Sequence, residues 1–261
     1  ELYPHTPHVR STLDIDIQHT ADRMLRERVA ALRPRSVTNA SLVVIENATA
    51  AVRALVGSID YLAVADQGQV NGATAMRSPG SALKPLIYGL AMDSGLIAPD
   101  TVLYDVPRHY ADYQPENFDR AFHGLVPANK ALAFSLNVPA IQTLETVGLP
   151  CFLRFARECG IDTLRRPAGE YGLSVAIGTC SVRLIELTNA YAMLARGGIA
   201  RPYELLADTT PRAAKTRTGG TGFDRLIKTP AGRRVLSEAA CYFVTKALSD
   251  PALRPPETVD P

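Results

Sequence analysis

Between residues 98 and 200 apolar side chains recur at the three- and four-residue spacing of α-helices, in runs closed by glycines, whereas β-branched runs lie before and after this block. Pro139 to Val147 stops at Gly148, and Pro150 to Glu158 stops at Gly160. Ser181 to Arg196 carries Leu184, Leu187, Tyr191 and Leu194 before Gly197 and Gly198. That order predicts a sheet interrupted by a large helical insertion. On its N-terminal side, residues 11–16 alternate polar and apolar like a short strand. Ile17, Ala21, Met24, Leu25, Val29 and Leu32 then mark an amphipathic helix up to Pro34. Two β-branched runs, 42–46 and 51–57, flank a turn and predict a buried hairpin. Residues 66–80 read as a loop closing with Ser78-Pro79-Gly80, and Leu83, Leu86, Ile87 and Leu90 place a helix start at about Ser81. On the C-terminal side, 201–206 predicts a strand, 208–223 a flexible surface loop, and Leu236 to Leu248 a last helix before Pro251.

Composition narrows what such a chain can do. With 261 residues, 46% of them apolar, a chain of this size buries roughly 70–75% of its unfolded surface and needs neither disulfides nor metal to hold a core. Cys151 and Cys159 share one predicted helix about 12 Å apart along its axis, too far for a disulfide. Cys180 and Cys241 stand alone, so all four read as reduced core thiols. His5, His8, His19, His109 and His123 form no His-x-x-x-His pair, and no metal is expected. The 28 Lys and Arg are scattered against 26 Asp and Glu, which excludes the basic tract a nucleic-acid partner requires. No run approaches the roughly 18–20 apolar residues of a membrane span, and Glu1 to Arg10 lacks the order of a signal peptide. A start at Glu and a Pro-rich end, Arg254 to Pro261, suggest a soluble piece of something larger.

Chemistry enters at Ser81-Ala82-Leu83-Lys84. Residues three apart are neighbours on a helix, so this spacing puts a hydroxyl and an amine on one face. Lysine can take the serine proton if burial keeps it neutral, and the helix N-terminus favours the negative charge that develops on an attacked carbonyl. Alone, the tetrapeptide is equally a capping serine with a solvated lysine. Of the five lysines, Lys84, Lys130, Lys215, Lys228 and Lys246, only Lys84 has a serine three positions earlier. Ser135-Leu136-Asn137, the single Ser-x-Asn, sets a second hydroxyl and an amide at the end of a helical run. Such a pair can relay protons and hold a peptide backbone, although by itself it reads as a loop cap.

Taken together, the Ser-x-x-Lys and Ser-x-Asn boxes, in this order of strands and helices, resemble the active-site serine penicillin-binding proteins and β-lactamases. The segments 42–58, 77–85, 113–119 and 186–195 resemble the transpeptidase domain of bifunctional class A penicillin-binding proteins, in particular their 1C branch, from about Ser11 to Pro251. The resemblance implies the α/β plus all-α fold of that family. It divides the chain into a leading strand and linker helix, 1–40, and a transpeptidase domain, 41–261. Within the latter, 41–97 holds the hairpin and nucleophile helix, 98–200 the helical subdomain, and 201–261 the return to the sheet. Carried over, Ser81 is the nucleophile acylated by the D-alanyl-D-alanine end of a peptidoglycan stem peptide, Lys84 its base and Ser135 the proton relay. Asn137 binds the donor peptide and Lys84. An amine of a second stem peptide then forms the cross-link, and penicillins acylate the same serine, without metal or organic cofactor. The family implies a parent anchored in the bacterial inner membrane with this domain on the periplasmic side.

The chain departs from the family at the third box, Lys-Thr-Gly. Lys215-Thr216 precedes Arg217 and Lys228-Thr229 precedes Pro230, and both lie before the last helix rather than after it. On this reading the chain stops, near Pro261, just before the expected box, so the sheet is incomplete, its hairpin left with an unpaired edge unless another segment covers it, and little turnover is expected. Two alternatives stay open: a serine β-lactamase-like hydrolase, and a non-catalytic module that binds peptidoglycan or a partner. For the hydrolase, Glu186 would be the candidate deacylating carboxylate, although its helix suggests a surface position.

Overall fold

The computed structural model describes residues 9–109, 114–207 and 232–254. The loop predicted at 208–223 and both Lys-Thr dipeptides lie outside the described residues. The chain folds as two compact units, one from the described parts of Glu1–Ala73 and Arg201–Arg233, the other from those of Thr74–Ala200 and Arg234–Pro261.

In the first unit, helix α1 (Ile15–Leu32) begins at Asp14, whose carboxylate accepts from the N–H groups of Asp16 and Ile17, each at 3.1 Å. This cap ends extended structure early. The strand predicted over 11–16 is reduced to one bridge, Ser11 to Leu206. Strands β1 (Leu42–Ile45) and β2 (Val52–Val56) form the predicted antiparallel hairpin, with Leu42 opposite Val56 and Val44 opposite Ala54. Alternation along β2 buries Val52, Ala54 and Val56, and α1 packs Ala21 and Leu25 against this side with Leu42 and Val44. Gln18 acts as a surrogate strand partner: its amide oxygen accepts from the Leu55 N–H at 2.8 Å and its amide nitrogen donates to the Leu55 carbonyl at 3.3 Å.

The edge expected to be open is covered. Val52 N–H donates to the Glu204 carbonyl at 2.8 Å, Glu204 N–H to the Ala50 carbonyl at 2.9 Å, and Thr12 N–H to the Leu205 carbonyl at 3.0 Å. The predicted 201–206 strand is correspondingly reduced to bridges at Glu204 and Leu206. Pro202 has no N–H to give to a longer ladder.

The second unit is built around helix α2 (Lys84–Asp93), which follows a 3₁₀ turn, Gly80–Leu83. Every residue from Lys84 to Ala91 is buried, the pattern of a helix enclosed on all sides. A second hairpin, β3 (Val102–Asp105) and β4 (Gly124–Pro127), lies inside the segment read as mostly helical. Beyond it come α3 (Ala128–Ala133), α4 (Asn137–Val147), α5 (Leu149–Glu158), α6 (Leu184–Ala195) and α7 (Glu238–Ser249). Helices α3, α4, α5 and α7 all contact α2, and Leu86, Ile87, Ile141, Leu144, Phe152 and Val244 are completely buried in the shared core. Among the described residues each sheet has two strands, so α/β and helical content coexist as expected. All four cysteines are free. Burial pushes the Cys180 and Cys241 thiols up to about 11, which fits their role as core hydrophobes.

Candidate active site

Ser81 lies in the 3₁₀ turn and is exposed, while Lys84 opens α2 and is 1% exposed. The Lys84 N–H donates to the Ser81 carbonyl. In a 3₁₀ turn residues three apart eclipse, so the two side chains leave the backbone in register. The turn is tied down from outside. Ser78 Oγ donates to the Gly178 carbonyl at 2.7 Å and accepts from the Gly80 N–H at 3.2 Å. Arg77 and Val182 exchange backbone hydrogen bonds at 3.0 and 2.9 Å, and the Tyr191 hydroxyl donates to the Ala82 carbonyl at 2.9 Å. Gly178 has φ +92°, and a Cβ there would stand 2.4 Å from both the Cα and the N of Gly80. Glycine at 178 is thus what lets the segment 178–182 pack against the turn bearing Ser81.

Lys84 reaches across to the junction of α3 and α4. Its Nζ donates to the Ser135 carbonyl at 2.6 Å and to Asn137 Oδ1 at 2.7 Å, and lies 3.2 Å from Ser135 Oγ. Three acceptors match the three donors of an ammonium, and none is a carboxylate. With no carboxylate among its described partners, burial pulls the Lys84 amine from 10.5 to about 8. The Ser-x-Asn box, expected at a helix end, forms a tight bend between two helices. The Ser135 N–H donates to the Leu132 carbonyl at 2.9 Å and the Leu136 N–H to the Ala131 carbonyl at 3.0 Å, the paired bonds of a Schellman motif. Its left-handed position is Ser135, with φ +53°, where glycine is the usual residue. That backbone turns both the carbonyl and the hydroxyl of Ser135 toward one amine. Asn137 then begins α4, with its side-chain amide donating to the Glu116 carbonyl at 2.7 Å and its backbone N–H donating to Asn117 Oδ1 at 2.8 Å.

Lys84, Ser135 and Asn137 are therefore in direct contact, and Ser81 stands one turn before Lys84. Sequence reasoning gave no role to Gly178 or Asn117. Asn117 falls in one of the segments carrying the resemblance, but nothing in its spacing points to a residue 20 positions away. The expectation for Glu186 is corrected. It is 3% exposed, accepts from the Thr163 hydroxyl at 2.7 Å and pairs with Arg183 at 3.2 Å. Helix α6 turns it inward because Thr163 and Arg183 supply the partners a buried carboxylate needs.

Residues 40–237 match the family model of the penicillin binding protein transpeptidase domain. Penicillin-binding protein 1C of Escherichia coli (strain K12) is 33% identical over 253 residues, covering 97% of this chain and 30% of that protein. Penicillin-binding protein 1F of Bacillus subtilis (strain 168) is 33% identical over 195 residues, covering 73% of this chain and 26% of that protein. The chain thus spans less than a third of the length of these curated relatives. The solved structure of PonA1 from Mycobacterium tuberculosis in complex with penicillin V shares the fold, with a TM-score of 0.72 at 20% identity over 92% of this chain and 62% of that one. A match running through both boxes and most of the chain settles the kinship: this chain belongs to the penicillin-binding protein transpeptidase family.

Proposed function

We propose that the chain, over 41–261, is a D,D-transpeptidase domain that forms peptidoglycan cross-links through an ester on Ser81. The observation that carries the reading is the Lys84 amine, buried with no carboxylate among its described partners and three residues after an exposed serine in the same turn. A neutral lysine amine has a free lone pair and two donors. It takes the Ser81 proton as Oγ attacks the carbonyl of the penultimate D-alanine, while its N–H bonds to the Ser135 carbonyl and Asn137 Oδ1 keep it in place. The C–N bond to the terminal D-alanine breaks, and that amine leaves with a proton passed through the Ser135 hydroxyl. An amine of a second stem peptide attacks the ester, returns its proton along the same path and regenerates Ser81. Penicillin acylates Ser81 by opening its lactam, consistent with the penicillin V complex of PonA1. The work is done by side chains and the helix N-terminus, on the periplasmic face of the inner membrane in the parent protein.

No Lys-Thr-Gly occurs in the 261 residues. In the family the strand bearing that box supplies a backbone N–H to the oxyanion hole, and loss of one such donor costs about 10²–10³ in rate, so acylation of this chain is slow and cross-linking slower still. The test is intact-mass spectrometry after prolonged exposure to penicillin, with peptide mapping. One adduct on Ser81, absent from Ser81→Ala, supports the reading. An unmodified chain refutes it, and rapid turnover of penicillin to its hydrolysed product would assign a β-lactamase instead.

A further inference from the structure

Asn137 opens α4, and the residue before it, Leu136, has no side chain able to cap a helix. The N–H of Asn137 would be left without a partner at the position where its side chain must hold Lys84. Its acceptor comes from outside the helix: Asn117 Oδ1, at 2.8 Å. Asn117 has no freedom to turn the other way. Its amide nitrogen lies 2.9 and 2.8 Å from the two oxygens of Asp105 and 2.8 Å from the Ala121 carbonyl, so only its oxygen can face α4.

Asp105 anchors this arrangement. It ends β3, is fully buried, and accepts in addition from the His123 backbone N–H at 2.9 Å and from the His123 ring Nδ1 at 2.8 Å. A buried carboxylate is tolerated only when its lone pairs are met, and here Asn117 and His123 meet them. The other His123 nitrogen lies 3.3 Å from Asp119. A continuous chain of hydrogen bonds thus runs from Asp105 through the Asn117 amide and the Asn137 backbone, and from the Asn137 side chain to Lys84. We propose that Asn117, oriented by Asp105, is a positioning residue that sets the first turn of α4 so that Asn137 Oδ1 meets the Lys84 amine. This rests on the acyl-transfer reading given above. The geometry makes Asn117 a cap supplied from 20 residues away, with a catalytic group as the capped residue.

The experiment measures the rate of Ser81 acylation by a fluorescent penicillin on the full chain, per folded molecule, in Asn117→Ala, Asn117→Asp and the exchanged pair Asp105→Asn/Asn117→Asp. Asn117→Ala removes the acceptor. Asn117→Asp keeps an acceptor for Asn137 but sets two carboxylates against each other. In the exchanged pair the amide at 105 donates to the carboxylate at 117, which still accepts from the Asn137 N–H; the contact not restored is the donation to the Ala121 carbonyl, which then faces a carboxylate oxygen. Both single variants should slow acylation about 10- to 100-fold at unchanged far-ultraviolet circular dichroism, and the exchanged pair should recover at least about threefold over either single variant. The ¹⁵Nζ signal of Lys84, assigned by its loss in Lys84→Arg, should move in the single variants and return in the exchanged pair. A lower melting temperature with an unchanged rate per folded molecule and an unmoved Lys84 signal would mean a purely structural role and overturn the proposal. So would an exchanged pair that folds yet acylates no faster than the single variants. If the parent chain acquires no Ser81 adduct, the acyl-transfer reading fails, and the Lys84 signal still decides whether Asn117 positions Asn137. Should Asn117→Asp not fold, Asn117→Ala and the exchanged pair carry the same decision.

Discussion

The rate at which penicillin acylates Ser81 should follow the titration of Lys84. That amine is buried among the Ser135 carbonyl, the Ser135 hydroxyl and Asn137 Oδ1, and loss of water moves it from 10.5 to about 8. At pH 7 a base with a pKa of about 8 is neutral in about one molecule in ten, against about three in ten thousand for an ordinary lysine, a difference of about 300-fold in reactive enzyme. The acylation rate should climb about tenfold per unit from pH 5.5 to 7 and level off by about pH 9. The assay is fluorescent-penicillin labelling resolved by intact mass, with Ser81→Ala subtracted as the blank. The sign for stability follows from the same shift. Between 8 and 10.5 the unfolded chain holds this proton more firmly than the folded one, so Lys84's own contribution to stability rises with pH across that window and is lowest below it. Lys84→Arg, which cannot deprotonate, should flatten the rate profile at the blank. A level profile between pH 6 and 9, or a rate still rising tenfold per unit at pH 9.5, would refute burial as the means by which the lysine becomes a base.

Two other substitutions test how the site is held. Gly178→Ala puts a Cβ into the backbone of Gly80 at a φ of +92°; it should destabilise by about 2 kcal/mol or more and slow Ser81 acylation at least tenfold, measured by thermal melting and labelling side by side. Ser135→Gly relieves the left-handed backbone at φ +53° and should be more stable than Ser135→Ala by about 1 kcal/mol, while both lose the hydroxyl and acylate slowly. Equal melting temperatures for the two Ser135 variants would show that the bend costs nothing.

Much of this molecule is legible locally. The hairpin 42–56, helix α1 and the helices ended by Gly148 and Gly160 follow from periodicity and stop signals that span a few residues. The pairing of Ser81 with Lys84 is legible for the same reason, since a spacing of three fixes their common side on the turn. What the sequence hides is set by distant partners. The β3–β4 hairpin has strands of four residues each, too short for alternation to stand out against neighbouring helical spacing. The 11–16 segment alternates correctly, but Asp14 captures the N–H groups of Asp16 and Ile17 and starts a helix there. Glu186 looks like a surface carboxylate until Thr163, 23 residues earlier, folds over it.

The same division runs through the site. The boxes mark the candidate groups, yet the surroundings of those groups come from contacts 20 to 100 residues apart: Ser78 on Gly178, Lys84 on Ser135 and Asn137, Asn117 on Asn137. A lysine opening a helix is by composition a solvated charge. Here it is buried because it reaches the junction of α3 and α4, a bend that places a serine where glycine would fold more easily. Local rules are broken together at this one place, by a buried amine with no carboxylate among its described partners and a left-handed serine whose carbonyl and hydroxyl both face that nitrogen. A chain selected for stability alone would carry glycine at 135 and an apolar residue at 84, so the cost borne there is itself the physical argument that Lys84 and Ser135 act in chemistry.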